Sequence, residues 1–370
     1  MVNKNVLGIV FSSAYDDNLR EMTNIRTMGS IPFAGRYRLI DFVLSNMVNC
    51  GISKVGVVTK SNYQSLMDHL GSGKAWDLSR KSGGMTILPP FNLGSGGVYG
   101  SKIEAFSNIM DYLTQSNREY VVISDCNVVC NIDYNELLEF HEKTGADITV
   151  AYKKGKVPKT EDRMVFSLNK DERINEVIIS PENISEADFS LNIIVISRIL
   201  LERLINDAKS QNFKSFEQDI IQNNVSNLRI YGYEVTEYAE VIDSLQSYYD
   251  ISMGLVSGDY KKLFNKDRPV YTKVRDNMPA TYGLSSKVNN SLIADGCIIK
   301  GQVENSILFR GVRIEEGAVV KNSIIMQGTF IGAGAKINCA ILDKSVVVKP
   351  GRELSGAPTY PLYAGKKILV

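Results

Sequence analysis

Between Leu292 and Val348 aliphatic side chains return every six positions, and this period limits the fold more than any other feature of the chain. Leu292 and Ile298, Leu308 and Ile314, then Val319, Ile325, Ile331 and Ile337, and lastly Leu342 and Val348 keep the spacing, with a slip of about one residue between runs. Small residues stand beside the aliphatic, as in Ile331-Gly332-Ala333-Gly334-Ala335-Lys336. Ordinary strands of a sandwich would alternate with period two and lack the six. A six-residue period predicts a left-handed parallel β-helix of hexapeptide repeats, in which aliphatics stack inward and each rung covers the edge of its neighbour. Many such coils are acyltransferases that use a histidine of the coil as general base. The histidines here are His69 and His141, both far upstream, which sets that enzyme class aside.

The first two thirds read differently. Short β-branched runs (Val6–Phe11, Val55–Thr59, Tyr120–Ser124, Asp147–Tyr152) alternate with amphipathic stretches (Ser61–Leu70, Ile103–Leu113, Tyr134–Lys143). Strand and helix periods taking turns predict an α/β, doubly wound, mostly parallel sheet covered on both faces, with a ligand crevice at the carboxyl ends of its strands. Around Leu255 to Leu284 the pattern gives way to a polar stretch with Pro269 and Pro279. The expected organisation is a nucleotidyltransferase-like (Rossmann-like) domain over 1–254, a connecting segment over 255–285 and the coil over 286–370, within reach of a 370-residue chain that is 44% hydrophobic.

Forty-two basic against forty-one acidic side chains leave a formal charge of +1, so no long-range field draws the chain to nucleic acid or anionic lipid. The apolar run Val6–Phe11 is far too short for a membrane span or a secretory h-region and reads as a buried strand. Cys50, Cys126, Cys130, Cys297 and Cys339 are odd in number and scattered, which points to a reducing, cytoplasmic setting. Cys126 and Cys130 lack a second Cys or His cluster, so they read as buried thiols rather than metal ligands.

The local text narrows the field. The stretch Pro32-Phe33-Ala34-Gly35-Arg36-Tyr37-Arg38-Leu39-Ile40-Asp41-Phe42-Val43-Leu44-Ser45-Asn46 resembles "PFGGKYRLIDFPLSN" of the glucose-1-phosphate adenylyltransferase (ADP-glucose pyrophosphorylase) family. Cys50-Gly51-Ile52, Trp76-Asp77-Leu78 and Arg310-Gly311-Val312-Arg313 are similar to further family stretches, so the resemblance spans both regions. The family's reaction needs a glycine-rich turn whose amides approach a triphosphate, a cation against the transferring phosphoryl group and carboxylates for magnesium.

Against that pattern the chain departs at each requirement. In place of "AGGxGxRL" stands Ser12-Ser13-Ala14-Tyr15-Asp16-Asp17-Asn18-Leu19, with Ser13, Ala14 and Asp16 at glycine positions and Asn18 at the arginine. Asp16 and Asp17 would set negative charge where polyphosphate lies; unit charges 4 Å apart repel by roughly 4 kcal/mol at an effective dielectric of 20. The family's "RAKPAVP" lysine aligns with Met28, and its metal aspartates with Asn127 and Val241. Lys60 replaces the glutamine of "TQYQ", and the sugar-contacting "EKP" has no clear counterpart near Ser180-Pro181-Glu182. Asp125, Glu240 and Asp243 lie one or two positions from the lost ligands and would restore carboxylates only if the register slipped.

Losses concentrated at one site within retained scaffold text are similar to the GlgD-type subunits of the family. The resemblance implies a non-catalytic regulatory chain that holds no magnesium and no other cofactor. It implies assembly with a catalytic ADP-glucose pyrophosphorylase subunit, as a heterotetramer, in glycogen biosynthesis, with sugar-phosphate effectors. Arg26, Arg36 and Arg38 are the leading effector candidates and Arg310 and Arg313 further ones, guanidinium forks being suited to phosphate; surface ion pairing is the alternative for each. A second reading stays open at this point, a weakly active nucleotidyltransferase with a rearranged site that forms ADP-glucose or another NDP-sugar from ATP and glucose 1-phosphate.

Overall fold

The computed structural model describes residues 5–90 and 100–370. Val6–Phe11, fully buried, is the middle of a nine-stranded mixed sheet, flanked in parallel by Lys54–Val58 on one side and Tyr120–Asp125 on the other. Gly84–Leu88 extends the first side in parallel, and the long strand Glu186–Ser197 runs antiparallel to Tyr120–Asp125 and to Ile148–Lys156. Side chains alternate across the central strand, so Val6 and Val10 enter one core while Leu7, Ile9 and Phe11 enter the other. The first core takes the apolar faces of helices Leu39–Asn49 and Tyr134–Thr144, and the second those of Lys102–Asn108 and Arg198–Ser210. Chain order diverges on either side of Val6–Phe11, so the loops after Phe11, Val58 and Asp125 open at one carboxyl edge, the expected place for a crevice.

The segment read as a connector is helical in its first part: Leu255–Asp259 and Tyr260–Leu263 continue the helix Leu245–Gly254, and Leu255, Val256 and Leu263 are buried. Coil strands begin at Thr281–Tyr282, five residues before the expected boundary at 286. From there the chain winds a left-handed parallel β-helix of three five-stranded sheets in which every strand pairs in parallel with its equivalent one coil on. Its interior holds Leu308, Ile314, Ile325, Ile331, Ile337, Leu342 and Val348, as the six-residue period requires. The phase differs at two places. Ile299 and Val320 point inward rather than Ile298 and Val319, because neighbouring residues of a strand face opposite ways and a slip of one exchanges inside for outside.

One sheet of the coil is apolar on both faces. Leu308, Ile325 and Leu342 fill the interior, while their neighbours Ile307, Ile324 and Ile341 point away from it. The outward set packs with Phe33, Phe42, Tyr248, Tyr249 and Leu255 in a third core shared by the two domains, and Leu292 joins that core rather than the coil interior. Among the described residues no helix is long and apolar enough to cross a membrane, and all five cysteines are buried and unpaired.

Candidate functional site

A cavity of about 510 Å³ lies at the carboxyl edge, lined by Phe11, Ser13–Asn18, Val58 and Lys60, by 100–102 with Glu104 and Ala105, and by Glu161, Asp162 and 214–217. The loop after the first strand fills what glycines would leave bare. Tyr15 takes a left-handed φ of 64° without being glycine, so the turn is retained at the cost of backbone strain. Its hydroxyl accepts a hydrogen bond from Asn192 Nδ2 at 2.7 Å, which fixes the ring over the floor. Ser13 Oγ accepts the amide of Lys60 at 3.2 Å, and Asn18 donates to the carbonyl of Asp243 at 3.2 Å.

Asp16 turns inward, where its Oδ1 accepts the amide of Met28 at 2.7 Å. A backbone donor of the kind a phosphate would take is thus held by the chain's own carboxylate. Burial pushes the Asp16 carboxyl up to about 7, with the Met28 amide and Lys60 opposing the rise. The group is half-protonated near neutrality. Asp17 is exposed and pairs with Arg20 at 3.0 Å, so repulsion toward a polyphosphate is weaker than the two aspartates suggested in sequence, and the obstruction is mainly steric.

Met28 is fully buried in the shared core and sends nothing into the cavity. Cations are nevertheless present, since Lys60, Lys102 and Lys214 line it. Sequence reasoning missed Lys102, whose ammonium lies 2.9 Å from Asp125 Oδ2 and 2.7 Å from Glu217 Oε1. These three residues come together only through the fold, and no local spacing announces them.

The fold brings Asn127 and Val241 together. Val241 pairs with Val128 across a two-stranded sheet, and the Ile242 amide donates to the Asn127 carbonyl at 2.8 Å. Asn127 is buried with neither amide atom hydrogen-bonded, which leaves one neutral oxygen beside one hydrocarbon. Neighbouring carboxylates do not compensate. Glu240 takes Lys153 at 3.1 Å, Asp243 accepts the Lys159 amide at 2.6 Å, and Asp125 takes Lys102. Magnesium takes six oxygen ligands and is usually held by carboxylates, so this donor set does not fit it. Among the described residues no group of three or more His, Cys, Asp or Glu is placed to ligate a metal.

A second, narrow cleft lies where the two domains meet. It is lined by Arg36, Arg38, His69, Lys273, Arg275, Arg310 and Lys344, with Gln327 and several apolar residues, and no lining residue is acidic. Arg38 is the N-cap of helix Leu39–Asn49, its amide on Asp41 Oδ2 at 3.0 Å and its Nη1 on Ser65 Oγ at 3.0 Å. Arg310 is held by Asp295 at 3.1 Å, and Arg36 lies over the Tyr37 ring. Arg26 sits behind this wall, 2% exposed, with Nη2 on Asp343 of the coil at 2.6 Å. Of the five arginines picked from sequence, three therefore line the cleft and one supports it. Arg313 does not join them: it is exposed on another sheet of the coil, between Ile298 and Phe330. Lys273, Arg275 and Lys344 were missed, since basic residues in polar segments carry no distinguishing pattern.

Burial and the like charge of Arg38 and Arg26 push the Lys344 ammonium down to about 7. Burial likewise lowers Arg38 to about 10. Cations gathered this closely without a lining carboxylate favour an anion. The space, about 30 Å³ for water centres that need roughly 10–15 Å³ each, suits a phosphate group better than a whole sugar.

A nucleotidyl transferase family model matches residues 8–228, and a GlmU-like C-terminal hexapeptide model matches 278–357. Over all 370 residues the chain is 40% identical to the glycogen biosynthesis protein GlgD of Bacillus subtilis (strain 168), covering 98% of that protein. It is 39% identical to GlgD of Geobacillus stearothermophilus over 86% of this chain and 84% of that one. A glucose-1-phosphate adenylyltransferase of Thermosipho africanus is 35% identical over 86% of this chain and 78% of its own length. The chain belongs to the GlgD and glucose-1-phosphate adenylyltransferase family. Within this family the nucleotidyltransferase match covers the mixed sheet apart from its strand Ile230–Glu234, together with the residues that line the cavity, and the hexapeptide match covers most of the coil, including Arg310 and Lys344 of the basic cleft.

Proposed function

We propose that this chain is a non-catalytic regulatory subunit of a bacterial ADP-glucose pyrophosphorylase, acting in glycogen biosynthesis in the cytoplasm. It assembles with a catalytic subunit, as a heterotetramer, and tunes that partner's response to sugar-phosphate effectors. The observation that carries the reading is the cavity. Tyr15 and Asp16 occupy the phosphate cradle, and Asn127 with Val241 stands where a metal needs carboxylates. Magnesium and nucleotide therefore play no part in this chain's own chemistry. The basic cleft supports the regulatory half of the proposal: a phosphate seated among Arg36, Arg38, Arg310 and Lys344 touches both domains at once. Whatever moves one domain relative to the other then changes anion affinity, and the converse holds by linkage.

The experiment is kinetic. Purified alone with ATP, glucose 1-phosphate and magnesium, the chain releases no pyrophosphate above background. Mixed with the catalytic subunit of its host and isolated as a complex, it changes that enzyme's substrate affinity, rate or effector response by severalfold. Unaltered kinetics in a verified complex would falsify the regulatory role, and turnover by the isolated chain would favour a weakly active nucleotidyltransferase instead.

A further inference from the structure

The floor of the cavity holds a charge arrangement that neither phosphate exclusion nor effector binding uses. Lys102 begins the helix Lys102–Asn108, directly after Ser101, whose hydroxyl caps the helix by accepting the Glu104 amide at 3.2 Å. That cap fixes where the lysine stem leaves the backbone. The ammonium passes 5.9 Å from the centre of the Phe11 ring and 5.8 Å from that of Tyr15, and ends between two carboxylates. Asp125 closes the strand Tyr120–Asp125 with no exposed surface, and Glu217 belongs to the helical turn Phe216–Ile221, its side chain 4% exposed. Three elements distant in sequence thus deliver one cation and two anions to one buried point. Asp162, on the same cavity wall, lies close enough to feel the same charges.

Two carboxylates this deep repel each other and cannot both stay ionised without a positive partner, because an uncompensated buried charge costs several kcal/mol. A single ammonium lies between both here, and although burial works against its charge, the two carboxylates outweigh that and hold its proton more firmly than in water. The same pair of carboxylate oxygens, with water completing the shell, is the kind of donor set a hard divalent ion takes, since such ions are held by one or two carboxylates and keep several waters.

We infer that Lys102 is a tethered cation seated in a latent divalent-ion site formed by Asp125 and Glu217, so that the chain supplies from its own side chain the positive charge a nucleotidyl-transfer pocket takes from solution. The ammonium closes the site to free metal while keeping the cavity wall intact. This inference concerns the cavity alone and does not rest on the regulatory reading; it is tested without partner or turnover, so the two can fail separately.

The test uses manganese(II) alone as probe, on the full chain. Wild type leaves Mn²⁺ free, as followed by its solution electron paramagnetic resonance signal. Lys102→Met and Lys102→Ala each bind one Mn²⁺ at least tenfold more tightly than wild type, and Tb³⁺ bound in the same place shows luminescence excited through Tyr15. Adding Glu217→Gln to Lys102→Met abolishes the gain. Should either single variant need the ion in order to fold, the same conclusion is read from a thermal transition that rises with Mn²⁺ in the variant and stays fixed in wild type. The inference is overturned if neither single variant binds Mn²⁺ more tightly than wild type nor is stabilised by millimolar Mn²⁺. It is equally overturned if the gain survives Glu217→Gln.

Discussion

Lys344 shows how one side chain reports on a whole cleft. Its ammonium is held down to about 7 by burial and by Arg38 and Arg26, so near neutral pH it is only partly charged. An anion bound beside it favours the protonated form, and by linkage the protonated form binds the anion more tightly. Sulfate, a dianion at every pH of interest, isolates the protein's contribution. His69, which lines the same cleft, is pushed below its usual range by burial despite Asp41 at 2.6 Å. Sulfate affinity measured by calorimetry should therefore fall by roughly tenfold between pH 6 and pH 9, the worth of one charge-assisted contact. In Lys344→Met the affinity should be low and nearly flat over the same range; an unchanged slope would place the titrating group elsewhere. Asp16 teaches a related lesson in the cavity, where a residue chosen from sequence for its negative charge works largely by filling space.

At the scale of elements, the coil is held by ladders that the six-residue period does not reveal. Asn290, Asn305 and Asn322 each occupy one corner with positive φ, at 40°, 46° and 46°, where asparagine is tolerated better than most residues. Their amides bond along the stack, from Asn290 to Asn305 at 2.7 Å, Asn305 to Asn322 at 3.4 Å and Asn322 to Asn338 at 3.1 Å. The serines that follow them continue the pattern: Ser291 accepts the Ser306 amide and Ser306 the Ser323 amide, each at 3.2 Å. Asn322→Ala loses two rungs and replaces a residue that tolerates a left-handed turn by one that tolerates it less. About 2–3 kcal/mol of stability should go, from two hydrogen bonds near 1 kcal/mol each and a few tenths to about 1 kcal/mol for alanine's poorer fit to the left-handed turn. Chemical denaturation reads that loss, while Asn322→Gly should recover only the turn's share of it. The recurring Asn-Ser pair was visible in the chain and would have located these corners.

On the scale of the molecule, the two domains are joined by an apolar wall and by the buried ion pair of Arg26 with Asp343. Asp343 accepts from Arg26 at 2.6 Å, from Tyr363 at 2.8 Å and from the Lys344 amide at 2.6 Å, so the pair also sets the backbone beside the basic cleft. Removing only the cation strands a charge away from water. Arg26→Met should cost about 3–5 kcal/mol and separate the melting of coil and mixed sheet into two calorimetric transitions. Arg26→Met with Asp343→Asn should restore most of the stability and a single transition, yet leave sulfate affinity reduced; one cooperative transition in the single variant would show that the apolar wall alone couples the domains.

Periodicity carried the architecture, because a six-residue repeat and an alternation of strand and helix are local patterns that burial imposes on neighbouring residues. It fixed the β-helix, the mixed sheet and the strands read at Val6–Phe11 and Tyr120–Ser124, while the departures at Ser13, Ala14, Asp16, Asn127 and Val241 came from the family resemblance and not from any period. It left the phase at Ile299 and Val320 one residue off, since a slip changes facing without changing spacing. Only the tertiary structure set Lys102 between Asp125 and Glu217, Arg26 on Asp343, and Lys344 beside Arg38 while sending Arg313 to another face. Charges attract through space regardless of their separation along the chain, and sequence records no distances beyond a few residues.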